Sequence, residues 1–100
     1  MEEIIRGTTP TITYTFSVVN VADITTAYLT IKHSAGMLTK TLSDATVEEN
    51  SLVWTLSQED TLSMNKIVSI MINFKLADGT RGASDEDSIK MIRNHVNEVI

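Results

Sequence analysis

The chain has no cysteine, one proline, four glycines and only five aromatic residues among its 100 amino acids. Without cysteine there is no disulfide framework, no thiolate nucleophile and no Cys-rich zinc site, so stability must come from core burial or from assembly. Bases are scarce as well: eight Lys and Arg against thirteen Asp and Glu give a formal charge of −5. That field repels phosphate, and no Lys/Arg cluster is dense enough to reverse it locally, which disfavours nucleic acid as a partner. A mean hydropathy near zero argues against a membrane span, and 42% apolar residues are too many for wholesale disorder. The opening Met-Glu-Glu-Ile-Ile-Arg has acids where a signal peptide has bases, so residence in a cytoplasm is expected.

What is abundant is Val, Ile and Thr, 33 residues together, whose β-branched side chains suit pleated sheet around a thin aliphatic core. One hundred residues fit a single domain spanning 1–100. Residues 11–18 alternate without a fault, placing Ile12, Tyr14, Phe16 and Val18 on one face and hydroxyls on the other. Pro10 sits just ahead, where a missing N–H does little harm, and Gly7 permits a bend before it. The first residues read as a short strand or as a loose arm over 1–9.

Ala27, Leu29 and Ile31 alternate with Tyr28, Thr30 and Lys32 in a second strand, and Ser34-Ala35-Gly36 supplies the turn after it. Residues 37–42 alternate without a clear buried face, which predicts an edge strand. Residues 45–47 resume the strand briefly, and Glu48-Glu49-Asn50 is a polar turn into Leu52, Trp54 and Leu56, a hairpin closing on the only tryptophan. Ser57 with Asp60 three positions on predicts a single helical turn through Leu62. Over 66–76, Val68, Ile70, Ile72, Phe74 and Leu76 recur at period two with Met71 apolar on the other face, as in a central strand. Asp78-Gly79 then marks a tight hairpin turn. The return strand should span 83–92, although Ser84-Asp85-Glu86-Asp87 also starts a helix and Ile89, Ile92, Val96 and Val99 have helical spacing. The upstream hairpin needs a pairing partner, which favours strand through about Ile92 with a tail over 93–100.

No reaction motif emerges. His33 and His95 stand in no metal-ligand spacing and read as structural or surface histidines. Asp85-Glu86-Asp87 lacks the glycine and the distant acid of a calcium loop and reads as a solvated bend. No nucleophile elbow occurs, and Gly79-Thr80-Arg81-Gly82 is too short for a phosphate loop, so no catalytic residue, cofactor, metal or small-molecule substrate is assigned. The aromatics read as core, Trp54 because it shares a face with Leu52 and Leu56. The core expected is Tyr14, Phe16, Leu29, Ile31, Trp54, Ile70, Ile72 and Phe74.

Ile5-Arg6-Gly7-Thr8-Thr9-Pro10-Thr11, Leu38-Thr39-Lys40-Thr41-Leu42, the run from Leu52-Val53-Trp54 to Asp60-Thr61-Leu62, Ala77-Asp78-Gly79 and Ala83-Ser84-Asp85 carry a resemblance. Together they resemble a family of small prophage-encoded proteins of Firmicutes and, more distantly, the N-terminal β-sandwich modules of phage baseplate proteins. The resemblance implies a small β-sandwich serving as a tail or virion component and not an enzyme. In such sequences the positions after Ala83-Ser84-Asp85 alternate apolar residues, whereas Asp87 here falls on the face of Ile89 and Met91. A carboxylate aimed into a core is costly. A bulge near Gly82 or a strand starting at about Ser88 would resolve this, and the later start is preferred.

The expectation is therefore an all-β, immunoglobulin-like antiparallel β-sandwich of about seven short strands. It would act through contacts with other phage structural proteins, and with itself, in the host cytoplasm during assembly and in the virion. Ile4, Ile5, Arg6, Thr8 and Thr9 are the expected partner contacts, since two isoleucines at a free end would otherwise be exposed; packing on their own sandwich is the competing reading. A module recognising cell-surface carbohydrate is the alternative function and would need exposed aromatics. A small hydrolase would need a convergent nucleophile and base.

Overall fold

Two of the alternating stretches, around 27–32 and over 66–76, form the two longest strands of the computed structural model, which describes residues 2–34, 36–96 and 98–100. The turn residue Ala35, the opening Met1 and Asn97 of the tail lie outside the described residues. In chain order the elements are β1 (Glu2–Ile5), β2 (Thr11–Thr15), β3 (Ile24–His33), β4 (Gly36–Thr41), β5 (Thr46–Glu48), β6 (Ser51–Thr55), α1 (Gln58–Leu62), β7 (Ile67–Leu76), β8 (Arg81–Ala83) and β9 (Asp87–Ile92). Single 3-10 turns precede β3 and follow β4. The fold is all-β. Among the described residues, short β5 and β8 bring the strands to nine where about seven were expected.

One sheet runs β1-β9-β7-β3-β4, with β8 also on β7; the other runs β2-β6-β5. All pairs are antiparallel except β1 with β9, which is parallel. This order is that of an immunoglobulin-like sandwich with an added strand beside the central three, the first strand having moved across to lie along the last. The position beside β2 that a strand fills in the full layout is left open. Ile12, Leu52 and Trp54 from the small sheet meet Leu29, Ile31, Val68, Ile70, Ile72 and Ile89 from the large one, with Phe16, Leu56 and Met64 closing the ends. Trp54 is fully buried, and its indole N–H donates to the Thr41 carbonyl at 2.9 Å, tying β6 to the end of β4.

Three sequence expectations change. Val18 is 94% exposed and does not share the buried face of Ile12 and Phe16. The strand ends at Thr15 because Asn50, across the hairpin, captures the chain: its amide donates to the carbonyls of Phe16 and Val19, and its oxygen accepts from Val21 N–H. Residues 45–47 do not resume the third strand; β5 crosses to the small sheet and pairs with β6. Finally, the return strand is not continuous over 83–92.

On β7, Phe74 faces Gly82, and Ile70 faces Asp87. A regular ladder continued from Gly82 would bring Glu86 opposite Ile70, so one extra residue is accommodated over 84–86. The extra residue is needed because small residues, Gly82 and Ser84, take the inner positions before the break, while Ile89 and Met91 must take them after it. Gly82 is required at its site: a Cβ there would lie 2.4 Å from Phe74 Cζ. Ser84 keeps the ladder intact across the break, its N–H donating to the Ile72 carbonyl and its hydroxyl accepting from Ile72 N–H, both at 2.8 Å. A bulge therefore resolves the register, and the strand resumes at Asp87 rather than Ser88. Asp87 escapes the core because it stands at the open margin between the sheets, exposed.

Candidate functional site

The N-terminal residues are a strand and its tether. Ile4 is half-buried against the core and Ile5 is half-exposed on the outer face. Arg6 N–H donates to the Ile92 carbonyl, and its guanidinium donates to the Leu62 carbonyl at the end of α1. Gly7, at φ +79°, turns the chain so that its N–H reaches Thr61 Oγ1 at 2.9 Å; Thr61 in turn donates to the Thr8 carbonyl at 2.8 Å. Asn94 and Gln58 side chains donate to the carbonyls of Arg6 and Gly7. Thr8 and Thr9 are exposed. Of the five expected contact residues, then, Ile4 and Arg6 are largely engaged within the sandwich, and Ile5, Thr8 and Thr9 face solvent.

The helical turn that receives this segment is capped by Ser57 and Asp60, each accepting from the other's N–H at 3.1 and 3.0 Å. Lys40 Nζ, from β4, lies 3.2 Å from the same Asp60 carboxylate. Burial opposes charge on Asp60, but the Ser57 bonds and the Lys40 ammonium outweigh it and hold the carboxyl below its ordinary value. A carboxyl depressed in the folded state stabilises fully above its unfolded value, roughly pH 4, and that contribution is lost as pH falls through the lower folded value. Asp60→Asn should therefore flatten the acid limb of stability below roughly pH 4 while costing at most about 1 kcal/mol at neutral pH, the pair being partly solvated. Urea midpoints across pH measure this; superimposable acid limbs for the two proteins would contradict it.

Among the described residues the outer edge of β2 is an unpaired sheet edge that borders a cleft. Phe16 N–H bonds to the Asn50 carbonyl and Leu56 N–H to the Pro10 carbonyl, so in this antiparallel ladder Ile12 and Tyr14 turn their backbone groups toward β6. Thr11, Thr13 and Thr15 consequently turn theirs outward, where among the described residues no hydrogen-bond partner meets them. Opposite this edge stand the residues of the β8–β9 break. Between them lies an open cleft of about 540 Å³, with Ile12, Tyr14, Ile70, Ile72 and Ile89 along its floor and Ser84, Asp85, Glu86 and Asp87 along its far wall. A smaller depression beside Thr13 is lined by Glu48, Glu49 and Ser51. None of the residues lining either is basic.

The edge expected over 37–42 is β4, at the far end of the large sheet. The β2 edge was not anticipated, because alternation reports which face of a strand is buried and not which side lacks a neighbour. Only the placement of β1 on the other sheet exposes it. Among the described residues no three His, Asp or Glu side chains converge on a point that could hold a metal ion. His33 ends β3 and His95 lies exposed beyond β9. Of the aromatics only Tyr28 is exposed, Tyr14 and Phe74 being half-buried and Phe16 and Trp54 buried. No described helix is long and apolar enough to cross a membrane. Comparison with protein-family profiles, curated proteins and solved structures gives no match.

Proposed function

We propose that this chain is a non-enzymatic structural or assembly module of a phage tail or baseplate, working through protein–protein contacts. The observation that carries the reading is the unpaired edge of β2 beside an open cleft: a row of backbone donors and acceptors that a partner's strand can satisfy. The resemblance of the Arg6-Gly7-Thr8-Thr9-Pro10 and Leu52–Leu62 runs to prophage proteins supplies the setting. The absence of an aromatic platform among the described residues gives the carbohydrate reading no support.

Quantitative mass spectrometry of particles and assembly intermediates, purified after induction of the lysogen that encodes the chain, tests this. The expected result is enrichment of the chain, at a fixed ratio to tail proteins, in tail or pre-tail fractions. Its absence from every such fraction, despite expression, would overturn the reading.

A further inference from the structure

We infer that the β2 cleft takes an extended segment of a partner protein whose sequence alternates apolar residues with Lys or Arg, added as a further strand on β2. The inference rests on the reading of the chain as a contact module and names the chemistry of what it contacts.

Four features converge on that occupant. First, Thr11, Thr13 and Thr15 each offer an outward N–H and C=O, so an added strand of about five residues would be bonded along its whole length. Second, the space lies where an immunoglobulin-like sandwich places a strand beside β2. Third, every second residue of an added strand points inward, over the margin of the core where half-buried Tyr14 stands beside Ile12 and Ile70, so apolar side chains there extend the core. Fourth, the charges around the cleft have one sign. Asp85, Glu86 and Asp87 form the far wall and Glu48 and Glu49 edge the outer face of the small sheet, with no lysine or arginine among the lining residues. An acidic or neutral strand would leave these carboxylates uncompensated, whereas a strand carrying Lys or Arg places positive charge within their field.

The same charges argue against a second copy. The chain is net −5, and of its other strands at a sheet end β1 and β5 carry acids and no base, while the single base of β4, Lys40, is already paired with Asp60. The occupant is therefore a different protein.

The full chain should be titrated with two blocked peptides of about seven residues, one alternating Lys with Val and the other Glu with Val, while amide exchange is followed. The basic peptide should slow exchange at Thr11, Thr13 and Thr15, and its affinity should fall with salt; the acidic peptide should not. The double charge reversal Asp85→Lys with Glu86→Lys, both side chains being exposed, should leave the melting temperature unchanged, weaken the basic peptide by at least about tenfold and admit the acidic one. Thr13→Pro should also abolish binding, since its N–H faces away from β6 and its loss spares the existing ladder.

Equal protection of β2 by both peptides would overturn the charge specificity while leaving a contact module with an open edge. Binding of the basic peptide without protection of β2, or binding indifferent to Thr13→Pro, would show only surface ion pairing and overturn strand addition. Failure of both peptides to protect β2 at millimolar concentration would overturn the inference, and the particle fractions would still decide the wider reading separately.

Discussion

Trp54→Ala is expected to be the most damaging single substitution in the chain, costing about 3–5 kcal/mol in urea unfolding. Trp54 has no exposed surface, stands at the centre of the small sheet opposite Ile12, and contacts the core that β3 and β7 supply from the other side. Truncation removes the largest buried side chain and leaves a cavity that two hydrogen-bonded sheets cannot collapse to fill. It also strands the Thr41 carbonyl that the indole N–H satisfies. Against a typical domain stability of about 5–15 kcal/mol, a loss of this size leaves a large unfolded fraction at moderate temperature. Trp54→Phe separates the two effects, retaining most of the volume and losing the donor, and should cost about 1–3 kcal/mol. A midpoint for Trp54→Ala within error of the parent would show that the sheets are not packed as described.

The second large effect is expected at Thr61, the only polar residue with a fully buried side chain among the described residues. Its hydroxyl accepts from Gly7 N–H and donates to the Thr8 carbonyl, so it is the joint between the N-terminal segment and α1. Thr61→Val keeps the shape and removes the joint. Each of the two backbone groups left without a partner is worth about 1–3 kcal/mol when buried. The loss should appear as a lower urea midpoint and as faster amide exchange at Gly7 and along β1, with β3 and β7 still protected. Uniform loss of protection across both sheets would instead mean that the N-terminal segment folds as one unit with the core.

How much of this was legible from residues alone varied with the range of the interaction. The two long strands declared themselves, because Leu29 and Ile31, and Val68, Ile70 and Ile72, alternate with polar residues over enough positions to outweigh chance. Ser57 and Asp60 announced α1, since a capping box is complete within four residues. Gly79, at φ +92°, made the hairpin turn expected of Asp78-Gly79, with Asp78 accepting from Thr80 N–H. What stayed hidden depended on distant partners. Val18 continues a perfect alternation yet lies in solvent, because Asn50 captures the loop from across the small sheet. The bulge left a trace in the sequence, the switch from even inner positions at Gly82 and Ser84 to odd ones at Ile89 and Met91. In the sequence alone that trace also fits a late strand start, because a bulge is recognised only against its partner strand. The β2 cleft had no local signature at all. It exists because β1 pairs with β9 and not with β2, a choice made between the two ends of the chain.

That pairing of first and last strands has a mechanical side. Because β1 and β9 run parallel, the chain enters the pair near Glu2 and leaves it near Ile92, at opposite ends. Tension applied through the two termini therefore slides one strand along the other and loads the rungs from Glu2↔Ile89 to Ile5↔Ile92 together, instead of peeling them in succession. Pulled in this way, the fold would yield abruptly and at high force.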